Sequence, residues 1–119
     1  MRVISGEAKG RRLRSVPGDV TRPIADRVKE ALFDILGEWV VGTSVLDLFA
    51  GTGSVGIEAL SRGARRAVFV EQDGRALRTI RENLHATHLR KRAEVVARDV
   101  FEYLRHLSSE EKFDFIYVA

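Results

Sequence analysis

An open α/β sheet of parallel strands is the fold this sequence predicts, on three observations. Short apolar runs alternate with stretches of helical periodicity from residue 45 onward, the pattern of βαβ units. A glycine loop, "GTGSVG" at positions 51–56, directly follows the first run and opens the helical stretch after it. Acids stand at or just inside the carboxyl ends of three runs, at Asp47, Glu71 and Asp99, where open α/β sheets bind their ligands.

Each element follows in order. Residues 1–22 read as a basic N-terminal arm, because "RVISGEAKGRRLRSVPGDVTRP" mixes short apolar stretches with turn residues and clusters Arg2, Lys9, Arg11, Arg12 and Arg14. That composition predicts a small β-hairpin, not a helix. Residues 23–119 form the α/β domain. Pro23 suits a first helical position, and Ile24, Val28, Leu32, Ile35, Leu36 and Trp39 follow helical spacing toward Gly42, so that face is expected to pack inward. Strands are expected at Val45–Phe49, Ala67–Glu71, Glu94–Arg98 and Phe113–Ala119, with helices at Val55–Arg62, Asp73–Ala86 and Val100–Leu107. Right-handed crossovers would place helices on both faces of the sheet.

Composition narrows the function. A chain of 119 residues forms one core at most, and 45% hydrophobic with 31% charged residues is ordinary for a soluble protein. No apolar run approaches the roughly 20 residues of a membrane span and no signal peptide opens the chain, so a cytoplasmic location is expected. Without cysteine there is no disulfide, thiolate catalysis or cysteine zinc site, and His85, His88 and His106 lack metal-ligand spacing, so no metal is expected. Sixteen of the twenty cations are arginine, whose planar fork suits phosphate and base stacking. A nucleic-acid partner and a merely solvated basic surface both fit that bias. The arm carries the same pair of readings: a phosphate-binding patch, or an edge kept soluble by its charge.

At the strand ends, Gly51 and Gly53 would bring backbone close to a ligand, Glu71 could accept from ribose hydroxyls, and Asp99 from an exocyclic amine. Together these outline a site for an adenosine. The alternatives are structural: Asp99 and Asp73 as helix N-caps, Glu71 paired with an arginine, the glycines serving only the turn. Asp47 chooses among nucleosides. A pyrophosphate over the loop would be repelled by a carboxylate so close, whereas a sulfonium and an ammonium would be attracted. S-adenosylmethionine is a ligand of that kind.

The segments "RVISGEAKGRRL", "TRPIADRVKEALFDIL", "VLDLFAGTGSVGIEALSRGA", "FVEQD" and "FDFIYVA", in this order, make the chain similar to the bacterial RsmD family along essentially its whole length. The resemblance implies a Rossmann-like class I methyltransferase that uses S-adenosylmethionine to methylate the exocyclic N2 of a guanine in 16S ribosomal RNA. Its partner would be that RNA or an assembling small subunit, and the protein a monomer. By the family pattern Asp47, Ala50, Gly51, Thr52 and Gly53 would contact the methionine and ribose portions, Glu71 the ribose hydroxyls, and Asp99 with Val100 the adenine. Thr21, Arg22 and Arg27 would fold over the cofactor's amino-acid end. Lys9, Arg11 and Arg12 would touch RNA.

The family's catalytic motif, Asp or Asn followed by two prolines and an aromatic residue, belongs at the end of the fourth strand. Ala119 stands where its first residue is expected, so the resemblance reaches the first two-thirds of a family member and supplies no catalytic residue here. The chain is accordingly expected to bind cofactor without transferring a methyl group. Two other functions remain open from the residues: a non-catalytic RNA-binding module and a nicotinamide-dependent oxidoreductase.

Overall fold

A computed structural model describes residues 1–18 and 23–119. Four parallel strands form one sheet: β1 (Ser44–Leu48), β2 (Arg66–Glu71), β3 (Ala93–Ala97) and β4 (Phe115–Val118), in the order β3-β2-β1-β4. The helices are α1 (Asp26–Leu36), α2 (Ser54–Ser61), α3 (Gly74–Thr87) and α4 (Val100–Arg105). Strand order reverses between β1 and β4, so the carboxyl ends of these two flank the switch point where α/β sheets bind ligands.

Burial on both faces explains why β1 and β2 read as apolar runs, broken in β1 only by Asp47. Val45 and Phe69 face a larger core with Phe33, Ile57, Leu60, Ile80 and Leu84. Leu46, Leu48, Val68 and Val70 face the other side, where Val100 covers them. Among the described residues no helix is long and apolar enough to cross a membrane.

The arm closes as a small hairpin: Arg2 and Arg12 form an antiparallel bridge, and Val3 N–H donates to Arg11 O, Gly10 N–H to Val3 O and Leu13 N–H to Met1 O at 2.9, 2.8 and 3.0 Å. Other backbone groups of the arm bond to α2: Ile4 N–H and Ser5 N–H donate to the Glu58 carboxylate at 2.9 and 3.1 Å, and Ala8 N–H donates to Ser61 Oγ at 2.9 Å. Val3, Ala8 and Leu13 are thereby buried in the main core. In α1 the inward face differs from the apolar stripe. Val28, Ile35 and Trp39 are 52%, 83% and 52% exposed, while Phe33 and, unexpectedly, Lys29 are fully buried. Ile24, Leu32 and Leu36 pack against the core from its margin.

Candidate functional site

Asp47 sits on the central strand, one residue before its end, and is 1% exposed. The glycine loop wraps around it. Gly51 and Gly53 have φ of 60° and 79°, the left-handed region, which lets the chain reverse between β1 and α2. Gly56 lies against the sheet so closely that a Cβ would come 2.4 Å from the Phe69 ring and 3.2 Å from Asp47 Oδ2. That proximity lets Gly56 N–H donate to Asp47 Oδ2 at 3.1 Å. The other oxygen, Oδ1, is buried with no hydrogen-bond partner among the described residues. Burial, reinforced by the nearby Glu71 charge and opposed by the Gly56 N–H, pushes the Asp47 carboxyl up to about 8. Asp47 thus repels pyrophosphate only when ionised, and without a cation beside it the carboxyl is held largely neutral at pH 7.

Glu71 braces two loops. Its Oε1 accepts from Gly51 N–H at 2.9 Å, and Oε2 accepts from Gln72 and Asp73 N–H at 3.1 and 3.0 Å. These bonds hold the carboxylate at the end of β2 with lone pairs to spare, since its two oxygens offer about four acceptor positions. Among the described residues the Glu71 side chain makes no ion pair. Asp73 caps α3 by accepting from Arg75 N–H at 2.8 Å, a bond that lowers its pKa. Asp99 caps α4, accepting from Glu102 N–H at 3.0 Å.

A cavity of about 630 Å³ opens at the switch point. Of the residues singled out from sequence, Asp47, Ala50, Gly51, Thr52 and Glu71 line it. Gly53, Asp99 and Val100 do not, Val100 being buried beneath the sheet instead. Arg27 is exposed on α1 and outside the cavity wall, and Thr21 and Arg22 lie outside the described residues. The wall also includes Val28, which the sequence reading placed on a core-facing stripe, and Phe49, Ser54 and Tyr117, which it did not offer as site residues. Phe49 had one legible sign: it lies between a strand and a glycine loop. It adopts φ of 56°, uncommon for a bulky side chain, and its ring meets Phe101 edge to face at 6.1 Å. Tyr117 is raised in pKa by burial and by Asp47.

Behind the loop lies a buried charge cluster that no sequence pattern marks. Lys29 Nζ donates to Ser54 Oγ at 2.9 Å and to Arg2 O at 2.8 Å, and lies 3.2 Å from Glu58 Oε1. Glu58 Oε2 also accepts from Arg62 Nε at 2.7 Å. Burial lowers the Lys29 pKa, opposed by Glu58. The cluster ties the arm, α1 and the first turn of α2 together immediately behind the cavity.

The donor set suits a nucleoside bearing positive charge: one buried carboxyl with an unpartnered oxygen, one fixed carboxylate at a neighbouring strand end, and a glycine backbone between them. Among the described residues no group of three or more His, Asp and Glu could hold a metal ion.

Comparison with known proteins bears on the same site. The family model described as conserved hypothetical protein 95 matches residues 1–119. A candidate rRNA methyltransferase of Bacillus subtilis, YlbH, is 46% identical over 111 residues, covering 93% of this chain and 60% of its own. The ribosomal RNA small subunit methyltransferase D of Haemophilus influenzae is 34% identical over 119 residues, covering 99% of this chain and 62% of its own. Among solved structures, a hypothetical protein of Thermus thermophilus superposes with a TM-score of 0.86 at 37% identity, over 98% of this chain and 66% of that one. The chain therefore spans about 60% of the length of the curated relatives it matches.

Proposed function

The chain belongs to the family described as conserved hypothetical protein 95, the RsmD family of methyltransferases, and from that premise we propose that its cavity binds S-adenosylmethionine for methylation of the exocyclic N2 of a guanine in 16S ribosomal RNA. The observation that carries the reading is the buried, unpartnered oxygen of Asp47, a residue that lines the same cavity as Glu71. The ammonium and sulfonium of the cofactor would favour the ionised Asp47, and Glu71 would accept from the ribose hydroxyls. Asp99 and Val100 follow β3 beside the Phe49–Phe101 pair, which offers an apolar wall to the adenine. Arg27, with Thr21 and Arg22, would close on the cofactor's carboxylate.

The relatives named for small-subunit rRNA support RNA as substrate, and the exposed Lys9, Arg11 and Arg12 supply cations for its phosphates. Acting on ribosomal RNA, the protein would work in the cytoplasm as a monomer, with no metal.

At the β4 end the cavity is lined by Tyr117 and Ala119, whose side chains offer no carboxylate or carboxamide to the protons of a guanine amine. Orienting that amine for in-line attack requires such acceptors. We therefore assign cofactor binding, without methyl transfer, to these 119 residues.

Calorimetric titration with S-adenosylmethionine, S-adenosylhomocysteine and NAD, beside a radiolabelled methyl-transfer assay on unmodified small subunits, tests the proposal. The adenosyl ligands should bind more tightly than NAD, with no label transferred. Tighter binding of NAD would refute the cofactor, and turnover would refute the division between binding and chemistry. Glu71→Ala should weaken S-adenosylmethionine by about 1–3 kcal/mol, the range for losing hydrogen bonds to a charged group together with the loop brace. Unchanged affinity would leave Glu71 a brace alone.

A further inference from the structure

The outer face of α3 is a strongly charged surface that the cofactor site leaves unused. Arg78, Arg81 and His85 are exposed on it at three- and four-residue spacing, one stripe with side chains about a helical turn apart. The arm runs alongside. Asn83 accepts from Arg14 N–H at 2.7 Å and donates to Arg14 O at 3.1 Å, and Arg11 Nη1 donates to Ala86 O at 3.3 Å. Between arm and helix lies an open cavity of about 600 Å³, walled by Arg14, Arg78, Arg81, Glu82 and His85.

Charge on this face is unbalanced. Among the described residues Glu82 is the one acid lining the cavity, and it is 3.4 Å from Arg14 Nε. Among the described residues Arg78 and Arg81 form no ion pair. Past the helix end, Arg90 and Lys91 prolong the basic surface together with His88. Cations gathered on one face without partners repel one another, and a polyanion relieves that repulsion while releasing its own counterions. The face also has a direction. Gly74 lines the basic cavity, while Asp73 and Ala76 line the cofactor cavity, so the two meet at the first turn of α3.

We infer that the outer face of α3, with Arg14, Arg90 and Lys91, is a second phosphate track for the RNA substrate, continuous with the arm and leading to the mouth of the cofactor cavity. It depends on the RNA-methyltransferase reading above. Arginine's forked donors match phosphate oxygens in pairs, and side chains fixed along a helix hold a backbone in register without reading its bases.

Arg78→Ala/Arg81→Ala tests it, because exposed helical positions tolerate alanine. Binding of a small-subunit rRNA fragment would be measured between about 50 and 200 mM salt. Each lost phosphate contact lowers the slope of log affinity against log salt by roughly 0.7–0.9, so the double variant should lose about 1.4–1.8 units of slope and about 25- to 60-fold in affinity at about 0.1 M salt. Arg78→Lys/Arg81→Lys should retain the slope, which separates charge from folding. Lys9→Ala/Arg11→Ala/Arg12→Ala should lose about one unit for each phosphate contact removed, and combining the arm and helix changes should add their losses. S-adenosylmethionine affinity should stay the same in all of them. A helix variant whose slope equals that of the parent chain, while the arm variant's slope falls, overturns the α3 track and leaves the RNA reading standing. A parent chain that binds S-adenosylmethionine but shows no salt-dependent RNA affinity removes both.

Discussion

Glu58→Ala is expected to cost about 3–5 kcal/mol of folding stability, the range for removing one member of a buried charge pair. The Glu58 and Lys29 side chains are both fully inaccessible to solvent, so water cannot replace the lost partner. Four groups would lose an acceptor at once: Lys29 Nζ, Arg62 Nε, and the N–H groups of Ile4 and Ser5. Glu58→Gln should cost less, because its carbonyl oxygen can still accept from the arm. Urea unfolding monitored by circular dichroism, with the slope compared between variants, measures both. A cost under about 1 kcal/mol in the alanine variant would mean that Ser61 and Asn83 hold the arm without this cluster.

Asp47→Asn should weaken S-adenosylmethionine by about 1.5–3 kcal/mol, the worth of a hydrogen bond to a charged group. Its pH dependence is the sharper signature. A folded-state pKa raised from 3.8 to about 8 means that the ligand-free fold favours the protonated carboxyl. That contribution to stability is full below pH 3.8 and is lost as pH rises through about 8, so the free chain should lose stability across this window. The asparagine variant should not. A cationic ligand reverses the preference by stabilising the ionised form, so binding should expel a proton and tighten as pH rises from about 6 toward 7.5. Calorimetry in buffers of different ionisation heat counts that proton. Equal affinity in parent and variant, with no proton released, would remove Asp47 from the binding of charge.

What the sequence made legible was local or periodic. The four strands and the glycine loop came from runs and spacings, and β1 was recognisable because both its faces are apolar. Asp47 and Glu71 were found because strand ends define the crevice before any side chain is placed. Lys29 was not legible. On a helix a lysine signals the solvent face, and only contacts with Ser54 and Glu58, some 25 and 29 positions later, turn it inward. Val28, Ile35 and Trp39 misled for the same reason in reverse, since periodicity marks an apolar stripe without saying what stands opposite it. Asp99 carried two readings that spacing could not separate, because a residue that caps a helix at a strand end occupies the place where a ligand-binding acid would also stand.

The arm's attachments also set an order of events during synthesis. Residues 1–16 emerge well before what secures them: Glu58 and Ser61 lie 53–54 positions beyond Ile4, Ser5 and Ala8, and Asn83 lies 69 beyond Arg14. Closing loops of that length costs entropy that only the finished α2 and α3 repay. The basic arm therefore waits for its anchors until α2 and α3 have folded. Its docking completes the wall behind the glycine loop, and a nascent chain halted before residue 83 would hold the loop's sequence without the brace that Asn83 gives to Thr52 O at 2.9 Å.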